Sequence, residues 1–139
     1  DVIASGAVSN VSWYDFRDDG RDPFNFEHNL GVITRDFEPK PAYRAFATVT
    51  SMLKGRTNAR QVNMGPDVIA YRFSDAKGLS PVLVLWALEK PTKVHIKSEH
   101  AQTLIDLMGN RKALALTGGG ITVTAFPGAP VFLTRGGGK

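Results

Sequence analysis

The spacing of apolar residues changes once along the chain, near residue 57. Before that point Ala42, Ala45, Phe46, Val49, Met52 and Leu53 recur three and four residues apart, which puts them on one stripe of a helix. Pro39 and Pro41 fix its start, because proline is tolerated in a first helical turn and turns the preceding residue away from helical angles. Lys54 and Gly55 supply a cationic last turn and a glycine just past the end. The pattern predicts a helix over about 41–54. Ahead of it, residues 8–16 read as a strand, 31–34 as a short extended piece and 2–4 as the tail of an earlier helix. Asp18-Asp19-Gly20 and Arg21-Asp22-Pro23 are turn formers between them.

After residue 57 the pattern becomes short apolar runs broken by turn signals every 8–12 residues. It predicts strands over 60–63, 68–74, 81–88, 92–96, 103–106, 113–116, 121–125 and 131–134. Such regular spacing argues for an antiparallel sandwich, with Leu83, Leu85, Ile105, Val123 and Val131 inside. The run from Val82 to Trp86 is apolar without a break, as in a central strand buried on both faces. Residues 108–111 and 117–120 read as hairpin turns, and 136–139 as a low-complexity tail expected to fray.

Composition narrows the class. A chain of 139 residues, 42% hydrophobic, suits one domain or a small domain plus part of another. It is well short of the roughly 250 residues of a complete eightfold barrel. No apolar run approaches the ~18 residues that span a bilayer, so no membrane partner is expected. No secretory signal opens the chain, and Asp1 falls in mid-structure, which leaves the parent protein's leader open. Without cysteine there is neither a disulfide nor a thiolate metal site. Residues 1–38 hold eight acids against three arginines, and the remainder 14 basic against five acidic residues. The basic residues stand singly or in pairs, so a solvated surface is read in preference to a nucleic-acid footprint.

The acidic segment invites a metal reading. Asp15 to Glu27 has the length of a twelve-residue calcium loop with Gly20 at its sixth position, but Arg17 stands where a ligand belongs. It reads instead as a polar loop whose aspartates pair with Arg17 and Arg21 and cap turns. His28, His95 and His100 lack metal-ligand spacing, and His95 reads as surface or half-buried. The glycines at 118–120 lack the following helix and Gly-Lys-Ser/Thr ending of a phosphate cradle. No metal or cofactor is expected. Lys40 and Arg44 read as solvated helix residues.

Three segments carry a resemblance: Trp13-Tyr14-Asp15-Phe16-Arg17-Asp18-Asp19-Gly20, Glu27-His28-Asn29-Leu30-Gly31 and Pro39-Lys40-Pro41-Ala42-Tyr43-Arg44-Ala45-Phe46. In that order they resemble the last β/α unit of a TIM-barrel glycoside hydrolase in the large clan of retaining enzymes. Val84-Leu85-Trp86, Asp106-Leu107-Met108-Gly109-Asn110 and Pro130-Val131-Phe132-Leu133 resemble the small β-sandwich appended to many such barrels. The resemblance implies an α+β fold: the last strand and helix of a (β/α)8 barrel over 1–56, then a mostly antiparallel β-sandwich over 57–135, then the tail. It implies the C-terminal portion of an enzyme hydrolysing O-glycosidic bonds by a two-carboxylate retaining mechanism. Its partners would be an oligo- or polysaccharide and the upstream barrel portion of the same protein, outside the cell or in the periplasm.

In that clan both catalytic groups are glutamates on the fourth and seventh strands, the acid following an asparagine. Glu27, Glu38, Glu89 and Glu99 are the only glutamates here and none follows Asn. The resemblance therefore implies no catalytic residue in this chain and places both upstream of Asp1. Trp13 matches the tryptophan ending the eighth strand, the floor of the subsite at the cleaved bond, with Tyr14 and Asp15 as neighbouring substrate-binding candidates. A cis peptide after Trp13 is implied as well. Taken as a residue alone, Trp13 reads as a core tryptophan. A free-standing carbohydrate-binding module is the first alternative, and would need Trp86, Tyr71 and Phe73 exposed in a row. A basic polyanion-binding domain is the second, resting on the charge of the C-terminal part.

Overall fold

In the computed structural model, which describes residues 3–8 and 10–136, eight strands follow one α-helix. Helix α1 (Pro41–Leu53) begins on Pro41 and is closed by Lys54, whose N–H donates to Thr50 O at 2.9 Å. Gly55 then takes φ +73°, the left-handed angle that ends helices cheaply only at glycine. The strands are β1 (Asn58–Gln61), β2 (Val68–Ser74), β3 (Val82–Ala87), β4 (Thr92–Lys97), β5 (Gln102–Ile105), β6 (Arg111–Leu114), β7 (Gly120–Ala125) and β8 (Val131–Arg135). Each coincides with a predicted strand to within a few residues. No helix interrupts them.

All pairings between these strands are antiparallel. A six-stranded sheet runs β1-β2-β3-β8-β5-β6, and β4 and β7 form a second, two-stranded sheet. The register sets Arg72, Leu83, Leu133 and Leu104 side by side across four strands. Since neighbours across a sheet share a face, the larger sheet has two distinct apolar faces. Leu83, Leu85 and Ala87 pack with Val94, Ile121, Val123 and Ala125 of the smaller sheet. Val82, Val84, Phe73, Ile105 and Phe132 meet Val49, Met52 and Leu53 of α1. Strand β3 is thus covered on both sides, which is why its sequence is apolar throughout. Leu83, Leu85, Ile105, Val123 and Val131 are all buried.

Two further contacts tie α1 to the sheet. Arg56 donates through Nη1 to Met52 O at 2.8 Å and through Nε to Ser80 O at 2.9 Å, joining the helix end to the turn before β3. The β5–β6 hairpin tip lies against the helix, a Cβ on Gly109 falling 3.3 Å from Thr48 Oγ1.

The N-terminal segment departs from expectation. Residues 8 and 10–16 form no strand; just beyond them Arg17 makes a single bridge pair, with Ile33. A strand exists by virtue of the neighbour that completes its ladder. Here Asp15 and Phe16 spend their main-chain groups on the loop at Leu30–Ile33 instead. The extended piece at 31–34 is present as Ile33's two bridges, to Arg17 and Pro39. Ile3 and Ala4 lie in a turn, not a helix. Of the remaining expectations, Val2 and tail residues 137–139 lie outside the described residues.

Candidate functional site

The polar loop from Trp13 to Lys40 is organised around one buried carboxylate. Asp18 is the sole charged residue among the buried ones described. Its Oδ1 accepts from Gly31 N–H and from Lys40 Nζ, each at 2.8 Å. Lys40 Nζ also donates to Asn29 O at 2.8 Å. A buried carboxylate so partnered keeps its charge at little cost, whereas one left alone would be expensive. Lys40, read from sequence as a solvated helix residue, is therefore the counter-ion at the helix start. The reason is positional: it is the residue just before α1 and points back beneath the loop, not along the helix surface.

Glycine makes this closure possible. A Cβ on Gly31 would fall 2.3 Å from Asp18 N and 2.5 Å from Arg17 C, both backbone atoms. One on Gly20 would fall 2.3 Å from the His28 ring. His28 is half-buried, and its Nδ1 is buried without a hydrogen-bond partner among the described residues.

The expected local Asp–Arg pairs give way to one longer pair and one ring contact. Arg21 pairs with Asp36, while Arg17 lies over the Phe37 ring, 4.8 Å from its centroid. Asp22 Oδ1 accepts from Phe24 N–H at 2.9 Å, capping a turn as anticipated. Among the described residues no three His, Asp or Glu side chains converge as metal ligands would.

The clamp reaches Trp13 through the main chain. Asn29 and Gly31, the residues held by Lys40 and Asp18, flank Leu30. Leu30 O accepts from Trp13 Nε1 at 3.1 Å and from Asp15 N–H at 3.2 Å. Trp13 is 59% exposed and lines a groove of about 390 Å³ with Ile3, Val11, Ala42, Ala45 and Phe46. Tyr14 is 71% exposed. Asp15 is half-buried, and its carboxylate accepts from Phe16 N–H. The structure thus brings Trp13 and Asp15 onto one carbonyl and leaves Tyr14 facing outward. The non-proline cis peptide is Tyr14–Asp15, one residue beyond the Trp13–Tyr14 bond that the resemblance implied.

Sequence reasoning missed Asp18 and Lys40, which are separated by a loop that must close before they meet. It also passed over Phe24, 96% exposed at the loop tip, and Phe26 beside it. The only signal for them was two aromatics inside a segment otherwise made of turn formers. The aromatics proposed for a binding row behave differently. Tyr71 stacks on Trp86 with centroids 6.2 Å apart, and both pack against the core under α1 with buried Phe73.

No protein-family profile matches the chain, and no curated protein matches it. Solved structures do. One is a family 39 glycoside hydrolase from the gut symbiont Bacteroides cellulosilyticus, 29% identical, with TM-score 0.75 over 89% of this chain and 26% of that one. A GH30 endoxylanase from Clostridium papyrosolvens is 10% identical, with TM-score 0.52 over 78% of this chain and 31% of that one. An α-amylase from H. orenii is 16% identical, with TM-score 0.53 over 89% and 27%. The last two share the fold alone. The chain spans between a quarter and a third of the length of these proteins, all of them glycoside hydrolases.

Proposed function

We propose that the chain is the C-terminal part of a glycoside hydrolase, with residues 1–56 as the C-terminal β/α segment of its barrel and 57–135 as a sandwich that braces it. One observation carries this reading: the likeness to the family 39 enzyme runs over 89% of this chain yet takes up only 26% of that one. A free-standing module would match a protein nearer its own size. The exposed surface supports it. Of the 16 large hydrophobic residues exposed in the described chain, 11 lie between Ile3 and Phe46. Ile3, Val11 and Trp13 with the Ala42, Ala45, Phe46 stripe present the apolar groove that a barrel wall would fill.

In this reading the reaction is retaining hydrolysis by two upstream carboxylates, one protonating the leaving oxygen and the other attacking the anomeric carbon. Trp13 supplies the apolar platform on which the sugar ring at the cleaved bond rests, and the Leu30 carbonyl fixes the edge of that platform. Tyr14 and Asp15 contact substrate at its margin and make or break no bond. The 139-residue chain is then inactive on any glycoside. In the full-length enzyme Trp13→Ala lowers kcat/KM about 100-fold or more, since a bound ring loses both platform and orientation. Tyr14→Phe and Asp15→Asn cost less. Hydrolysis assays on the chain and on full-length variants decide the matter. Turnover by the chain, or a wild-type rate in Trp13→Ala, overturns the assignment.

A further inference from the structure

The apolar core between the two sheets ends, on one side, in a row of cations. On β2 the residues facing the smaller sheet run Val68, Ala70, Arg72, and on β8 they run Val131, Leu133, Arg135. In each series the first two are buried and the arginine is exposed. Arg60 on β1 stands directly opposite Arg72, and Lys97 closes β4 at the same end. The cleft there, about 320 Å³, is walled by Arg72, Lys97, His100 and Arg135 over a floor that includes Leu83 and Leu133. No Asp or Glu lines it. Arg135 Nη2 lies 2.8 Å from His100 Nε2. Among the described residues, Arg60, Arg72 and Lys97 take part in neither of the two ion pairs.

The end of a sandwich needs polar side chains, but either sign serves, and like charges set opposite each other across strands repel. Alternating acids would remove that cost, and none is placed here. Guanidinium forks without an acidic partner among the described residues, set in a shallow cleft, match planar or tetrahedral oxyanions in two-point contact. We infer that this mouth binds the anionic groups, carboxylate or sulfate, of an acidic polysaccharide. The choice of a glycan as carrier rests on the glycosidase reading above; the anion site rests on the cleft. Nucleic acid fits the cleft poorly. Single strands are held by aromatic platforms for their bases, and among the lining residues only the His100 ring is aromatic, while the aliphatic floor suits the C–H face of a sugar. The cleft lies on the sheet face opposite α1, so it holds a polymer and does not cut it.

Calorimetric titration of the 139-residue chain tests this with four probes: an oligogalacturonate, a dextran sulfate, a neutral xylo-oligosaccharide and a short single-stranded DNA. The expected result is binding to at least one of the two acidic glycans, weakening steeply with added salt, and none to the neutral one. Oligogalacturonate alone, or dextran sulfate alone, identifies the anion as carboxylate or sulfate. Arg72→Ala and Arg135→Ala each weaken binding about tenfold. Arg72→Lys, which keeps the charge without the fork, lies between. Arg111→Ala, an equal loss of charge on β6, changes it less than twofold. Melting curves confirm that each variant is folded. Equal losses in Arg111→Ala and Arg72→Ala, or DNA binding as tight as the glycans, overturn the proposal. Binding and not cleavage is read, so these outcomes stand apart from those of the Trp13 experiment.

Discussion

Asp18 meets Lys40 across 22 residues of chain, and the stability of the loop between them hangs on that meeting. The Asp18 side chain is 8% exposed and that of Lys40 25%. Removing the lysine leaves a carboxylate facing Gly31 N–H alone, with no counter-ion. Breaking a fully buried pair costs about 3–5 kcal/mol, and the partial exposure of Lys40 reduces that to about 2–3 kcal/mol here. Lys40→Met is expected to lower Tm by roughly 10 °C, and Asp18→Asn in the same chain to restore part of it. Thermal denaturation of the single and double variants measures this. A double variant no more stable than Lys40→Met shows that the pair is not the source. Gly31→Ala should be costlier than Gly20→Ala, because the new methyl meets backbone in the first and a rotatable imidazole in the second. None of this was legible in sequence, where Asp18 stood among four neighbouring acids and Lys40 between two prolines. Which acid turns inward is settled by loop closure, and periodicity carries no information about it.

At the scale of single elements the strands were the most legible part. Each is bounded by Gly, Pro, Asn or Asp, and each was found within a few residues of its predicted place. The β5–β6 hairpin shows why such boundaries are informative. Asp106 Oδ1 accepts from Asn110 N–H at 2.9 Å and Oδ2 from Asn110 Nδ2 at 2.8 Å, while Gly109 takes φ +83°. The Asn110 amide, aided by main-chain N–H groups of the turn, holds the Asp106 carboxyl below its ordinary range against the opposing effect of burial. A carboxyl lowered by folding stabilises the fold above its unfolded pKa, and that contribution is lost as pH falls through the lower folded value. Asp106→Asn should therefore cost about 0.5–1 kcal/mol at pH 7 and nothing once acid has protonated the wild-type carboxyl as well, below its lowered folded value. Melts of both proteins across that range should converge at the acid end. A gap that persists there rules out the carboxylate as its cause. The predicted strand at 8–16 failed for the opposite reason: its sequence is suitable, but no neighbouring strand is at hand to complete its ladder.

For the molecule as a whole, the imbalance of exposed apolar surface makes a prediction about solution behaviour. Ile3, Val11, Trp13 and Phe46 all exceed 40% exposure around one groove. A contiguous apolar patch of this kind drives association when its natural cover is missing. The purified chain is expected to self-associate at tens of micromolar and to bind an apolar dye, and Phe46→Asp to reduce both. Light scattering that finds a monomer without dye uptake contradicts the reading of the groove as a packing surface. The sandwich was legible at this scale from strand spacing alone. The stripe of α1 by itself names no partner, and the structure sets Val49, Met52 and Leu53 of that stripe against the sandwich.

That packing determines which motions are open to the chain. The covalent link from α1 to β1 runs only from Lys54 to Thr57, and Arg56 within it is bonded at both ends. Val49, Met52 and Leu53 sit in the same core as Phe73, Val82 and Phe132. A hinge there would have to strip three helix side chains from that core and break the Arg56 bridge in the same step. The helix and sandwich must therefore tumble as one rigid lever. Whatever α1 is anchored to will hold the sandwich at a fixed angle, and a polymer caught at its far face will sit at a fixed distance from that anchor.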